Sequence, residues 1–76
     1  MNAREWLAAY AQQLGTEAPT KEELQVVLEL AAQAAHSSER IAAPVACWLA
    51  ARAGVAPREA LAIAGRVAPS DASPRG

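Results

Sequence analysis

Residues 34–54 read AAHSSERIAAPVACWLAARAG, and the way this stretch divides decides the fold. Ala34, Ala35 and His36 end one alanine-rich segment, and Ser37 and Ser38 interrupt the apolar pattern. Ile41, Val45, Trp48 and Leu49 then recur at the spacing of an amphipathic helix. Gly54 follows, and a glycine just past the last periodic residue is a common helix stop. Pro44 lacks a backbone N–H and fits best in a first helical turn. The helix therefore either starts close to Pro44 or starts at Ser38 and bends. A start between Ser38 and Ile41 gives a helix over about 39–53.

Working outward, Thr20 and Glu23 form a capping-box signature, and Glu22 and Glu23 place negative charge at the positive end of the next helix. Leu24, Val27, Leu28, Ala31, Ala34 and Ala35 carry one apolar face through His36, which predicts a helix over 21–36. Its alanine-rich end lets another helix approach closely, so tight packing is expected near Ala31, Ala34 and Ala35. Asn2 and Glu5 repeat the capping box ahead of Trp6, Leu7, Tyr10 and Leu14, and Gly15 stops that helix, giving 3–14. Downstream, Pro57 suits a first helical position, and Leu61, Ile63, Ala64 and Val67 supply a buried face over 57–67. From Pro69 the chain reads PSDASPRG, without periodicity, and a disordered tail over 69–76 is expected. The class is all-α: a compact four-helix domain over 1–68 with short connectors.

A chain of 76 residues makes one domain, near the lower limit for folding on a single hydrophobic core. Of its hydrophobic residues 21 are alanines, which leaves 19 larger side chains to build that core. Self-association or a protein partner could supply what is missing. The net charge of −1 offers no general attraction to nucleic acid. Its distribution is uneven, with two basic and five acidic side chains over 1–38 against five basic and three acidic over 39–76. This polarity could orient a partner. No apolar run approaches the ~20 residues that span a bilayer, and a single cysteine cannot form an intrachain disulfide. A cytoplasmic protein is expected.

The chemistry-bearing residues gather at the junction of the second and third helices. His36 would lie at one helix end and Arg40 near the start of the next, with Ser37, Ser38 and Glu39 between them and Pro44 beyond. Free amides at a helix N-terminus, two hydroxyls, a guanidinium and an imidazole could form an anion pocket. Each residue also has a structural role open to it. His36 can serve as a C-terminal cap that favours the helix dipole, and Arg40 can be solvated or paired with Glu39. Cys47 reads as a small buried apolar residue, and Trp6, Tyr10 and Trp48 as core or interface anchors, with Trp48 mainly in the core. Catalysis by Cys47 and His36 lacks a third orienting group, and one cysteine with one histidine cannot fill a structural zinc site. No glycine-rich phosphate loop is present.

The segment is similar to a signature of the DUF6457 family, small helical domains of actinobacteria, of the form A-H-x-x-E-R-x-A-A-P-x-x-x-x-L-A-x-x-A-G. Ala35, His36, Glu39, Arg40, Ala42, Ala43, Pro44, Leu49, Ala50, Ala53 and Gly54 match it. Trp6-Leu7 and the run Pro57, Glu59, Ala60 and Leu61 fit as well. The resemblance implies an association with molybdenum cofactor guanylyltransferase-like domains, but no established activity. It implies that His36, Glu39, Arg40 and Pro44 form a functional patch. The expectation is a non-catalytic accessory module that binds a molybdenum cofactor biosynthesis protein or a molybdoenzyme, without a resident cofactor. Molybdopterin or a guanine nucleotide is the candidate anionic ligand. The alternative is a structural interaction or dimerisation module, a homo-oligomer among its forms.

Overall fold

The computed structural model describes residues 1–67, so the tail expected over 69–76 lies outside the described residues. Four helices follow one another: α1 (Ala3–Leu14), α2 (Lys21–Ser37), α3 (Ala42–Arg52) and α4 (Pro57–Ala64). No strand occurs among the described residues.

Both capping boxes form as reciprocal pairs. The Glu5 amide donates to Asn2 Oδ1 at 2.8 Å while the Asn2 amide donates to Glu5 Oε1 at 2.9 Å. Thr20 and Glu23 repeat the arrangement at 3.0 and 2.9 Å. Each box satisfies two amides that have no partner within the helix. Gly15 and Gly54 adopt left-handed φ values of 81° and 75°. The following amides, of Thr16 and Val55, reach back to the carbonyls of Ala11 and Ala50 at 3.0 Å, the bonding pattern that reverses a chain after a helix. Pro57 takes the first turn of α4, where its missing donor costs nothing.

The third helix differs from the span 39–53 read in the sequence. Residues 39–41 form a tight turn, with the Ala42 amide donating to the Glu39 carbonyl at 3.0 Å and the Ala43 amide to the Arg40 carbonyl at 3.1 Å. The α-helix proper begins at Ala42, which places Pro44 in its first turn without a bend. At the other end α4 stops at Ala64, short of the expected 67, and residues 65–67 continue as turns.

Packing is organised around α2. It lies against both α3 and α4, which touch each other only lightly, and its Val26 and Leu30 are buried. Among the described residues, α1 makes no comparably close backbone approach to another helix. It leans instead on the connector and the first turn of α2, where Leu7 and Ala8 share a shallow hollow with Ala18, Pro19 and Leu24. An exposed ion pair between Arg58 of α4 and Glu22 of α2 ties two helix starts together, and pairs so exposed contribute at most ~1 kcal/mol.

The buried set is Ala11, Val26, Leu30 and Ala60, far smaller than the 19 larger side chains available. Ala31, Ala34 and Ala35 are half-buried, so that end of α2 is not sealed as tightly as its composition suggests. The physical reason is area. Two short helices, of 11 and 8 residues, cover one side of a 17-residue helix and leave the rest of the apolar surface facing outward.

The two kinds of glycine separate by substitution. A Cβ at Gly54 meets no atom within 4 Å, so Gly54→Ala is destabilising through backbone conformation alone, by about 1 kcal/mol, and lowers Tm by roughly 4–8 °C. Gly65 has an ordinary helical φ of −67°, with its nearest obstacle 3.5 Å away, so Gly65→Ala is neutral or stabilising by up to about 1 kcal/mol. Thermal unfolding followed by circular dichroism measures both.

Candidate functional site

The junction between α2 and α3 is built by local hydrogen bonding. The Ser38 hydroxyl donates to the Ala34 carbonyl at 2.9 Å, and the Ser38 amide reaches the same carbonyl at 3.2 Å. Ser37 Oγ accepts from the Gln33 side-chain amide at 3.2 Å. Both serine hydroxyls are therefore engaged in the last turn of α2.

The start of α3 offers little to an anion. Ala42 and Ala43 have already given their amides to the turn, and Pro44 has none to give. The free helix-start amides expected from the sequence are thus occupied, because a tight turn replaces the side-chain cap; Ile41 stands at the cap position without a side-chain bond.

His36 is exposed on the final turn of α2, where a positive charge is favourable to the helix dipole. Glu39 and Arg40 are exposed, with no ion pair among the described residues, and Pro44 is exposed on the first turn of α3. A shallow hollow at the junction, of about 310 Å³, is walled by Ser38, Glu39, Ile41, Ala42 and Val45. His36 and Arg40 are not among its walls. The junction is an open, mixed-charge ridge next to apolar side chains.

Those side chains are the feature that sequence reading assigned elsewhere. Trp48 is 57% exposed, not a core residue, and Ile41, Val45 and Leu49 of the same stripe are 73%, 51% and 50% exposed. The Arg52 guanidinium lies 4.9 Å from the Trp48 ring centre, a cation–π contact that holds the indole along the helix surface. A second stripe runs along α1 through Trp6, Tyr10 and Leu14, all exposed, with the Trp6 and Tyr10 rings stacked at 5.1 Å and 29°. A spacing of four residues cannot distinguish a helix face that meets its own core from one that meets another protein. The available signal was the absence of charge from Ile41 through Ala51. A helix apolar all round needs covering on more than one side.

On the inner side of α3, Cys47 is half-buried, with its sulfur 3.9 Å from the Val27 carbonyl. Burial pushes its thiol pKa above the ordinary value, which keeps it protonated near neutrality. Among the described residues no three His, Cys, Asp or Glu side chains gather closely enough to hold a metal ion, and no helix is long and apolar enough to cross a membrane.

A family model for a domain of unknown function, DUF6457, matches residues 1–75. The chain belongs to the DUF6457 family. That match spans all four helices, the α2–α3 junction and both apolar stripes, so the surfaces described above lie within the DUF6457 domain itself. No curated protein and no solved structure matches the chain.

The environment of Cys47 in this DUF6457 domain sets its reactivity. Alkylation by iodoacetamide at pH 7 is expected to be slower than that of the unfolded chain. It keeps rising with pH past the point at which the rate of the unfolded chain levels off, because the thiolate is the nucleophile and burial disfavours it. Mass spectrometry of native and urea-unfolded samples checks this; equal rates in both would remove the proposed effect of burial.

Proposed function

We propose that this domain is a non-catalytic interaction module that docks a protein partner. The observation that carries the reading is α3: a helix without a charged residue from Ile41 through Ala51, left half uncovered by its own chain. Apolar residues of this size are costly to leave in water, at about 25 cal/mol per Å². Surfaces that expose them together are commonly places where another molecule fits. Tryptophan, tyrosine and arginine are the residue types that most often dominate binding energy at interfaces, and Trp48 with Arg52 and Trp6 with Tyr10 supply them here.

The ridge of His36, Ser37, Ser38, Glu39, Arg40 and Pro44 borders this surface and gives it direction. Arg40 and His36 meet an acidic group of the partner at the rim, where charges steer association and register more than they add affinity. The occupied amides of Ala42 and Ala43 favour a side-chain contact of this kind over a buried phosphate held by a helix start. The setting we infer is molybdenum cofactor maturation. It follows from the resemblance to actinobacterial domains associated with guanylyltransferase-like enzymes, and it makes such an enzyme, or a molybdoenzyme, the partner.

Calorimetric titration against a molybdenum cofactor guanylyltransferase domain tests the reading. Binding is expected with the wild-type chain, weakened about 30-fold by Trp48→Ala and several-fold by Arg40→Ala. Absence of heat with the wild type would remove the molybdenum cofactor setting. Heat with molybdopterin or a guanine nucleotide that disappears in Arg40→Ala would instead make the junction a small-ligand site.

A further inference from the structure

We infer that one partner of the two apolar stripes is a second copy of this chain, with α1 of each copy lying antiparallel along α3 of the other. The inference rests on the reading of the domain as an interaction module and commits its surface to a particular occupant.

Three observations point to it. The first is length and spacing. Trp6, Tyr10 and Leu14 stand at intervals of four on α1, and Ile41 at the cap of α3 with Val45 and Leu49 on it, flanked by Trp48, stand at the same intervals. Each stripe extends about 12 Å along its helix, so the row on one can lie in the groove of the other. Within one chain these stripes do not meet, because α1 makes no close approach to α3.

The second is area. Together the seven side chains leave on the order of 700 Å² exposed per copy, close to the about 800 Å² per partner that a standard interface buries. Applying the α1–α3 contact in both directions closes a two-fold dimer, which uses both stripes of both copies.

The third is charge. Residues 1–38 carry two basic and five acidic side chains, and residues 39–67 carry four basic and two acidic. Most of that acidity, Glu22, Glu23 and Glu29, lies on α2, so the charges that an α1–α3 pairing brings together are those at the helix ends, Glu17 after α1 and Arg40 before α3. With Tyr10 opposite Val45 in the antiparallel register, Leu14 faces Ile41, and Glu17 just beyond α1 falls beside Arg40 just before α3. Antiparallel helices also oppose their dipoles favourably.

Sedimentation velocity of the full chain, from low micromolar to hundreds of micromolar, tests the proposal. A concentration-dependent monomer–dimer equilibrium is expected, with Trp48→Glu monomeric throughout. Because Trp48→Glu could also disturb the fold, exposed charges supply an independent test. Glu17→Arg and Arg40→Glu should each raise the dimer dissociation constant about fivefold, and the double variant should return it to near wild type. A wild-type chain monomeric at every concentration overturns the proposal, and so does a dimer indifferent to Trp48→Glu and to both charge variants. Failure of the double variant to recover overturns the antiparallel register. A monomeric chain that still binds a guanylyltransferase domain through Trp48 removes the second copy and leaves the interaction module standing.

Discussion

Everything in this small fold depends on α2 having a start that does not fray. The Thr20–Glu23 box fixes the first turn, and about two turns later Val26 and Leu30 are the only residues larger than alanine in the buried set of the described residues. Both α3 and α4 are held by that one helix, and they hold each other weakly. Most of a helix's stability in a protein comes from packing of its apolar face, so the cap and the two covering helices stabilise the 17 residues of α2 as much as α2 positions them. The junction residues are placed by the same dependence. His36 and Ser37 end α2, and the tight turn at 39–41 aims α3 back along it.

Alanine sets the character of the packing. It favours helix and lets helices approach closely, but each alanine buries little area, so a domain rich in it gains little stability from its own core. The larger residues that would compensate are concentrated on faces for which this chain has too few helices. Polar groups are handled conservatively by comparison. Both serines at the junction bond within their own helix, and no buried side-chain polar atom among the described residues lacks a partner. The unsatisfied surface is therefore apolar, which directs attention toward association and away from chemistry.

Most of the secondary structure was legible in the residues because helix ends carry specific signals. Asn2, Thr20, Gly15, Gly54 and Pro57 each act through a local backbone requirement that needs no tertiary information. The start of α3 was less legible, since Ile41 caps nothing and the bonds of Ala42 and Ala43 come from a turn whose geometry no residue type dictates. The family resemblance was carried by the junction motif, whereas the exposure of Trp48 and Ile41 was legible only indirectly, in the run without charge from Ile41 through Ala51. Periodicity says that a face must be covered but not by what, and only the placement of four helices shows that the cover is missing.

The separation of α1 from the other three helices has a consequence for how this molecule breathes. Secured by its own capping box and connector and only loosely by tertiary packing, α1 is a candidate for opening as a unit while α2, α3 and α4 stay folded. Amide protons would then exchange in two tiers, a fast one over residues 3–14 and a slower one over the three-helix unit. Whatever molecule covers the Trp6–Tyr10 pair would merge the two tiers into one, coupling recognition at the amino-terminal end to the global cooperativity of the domain.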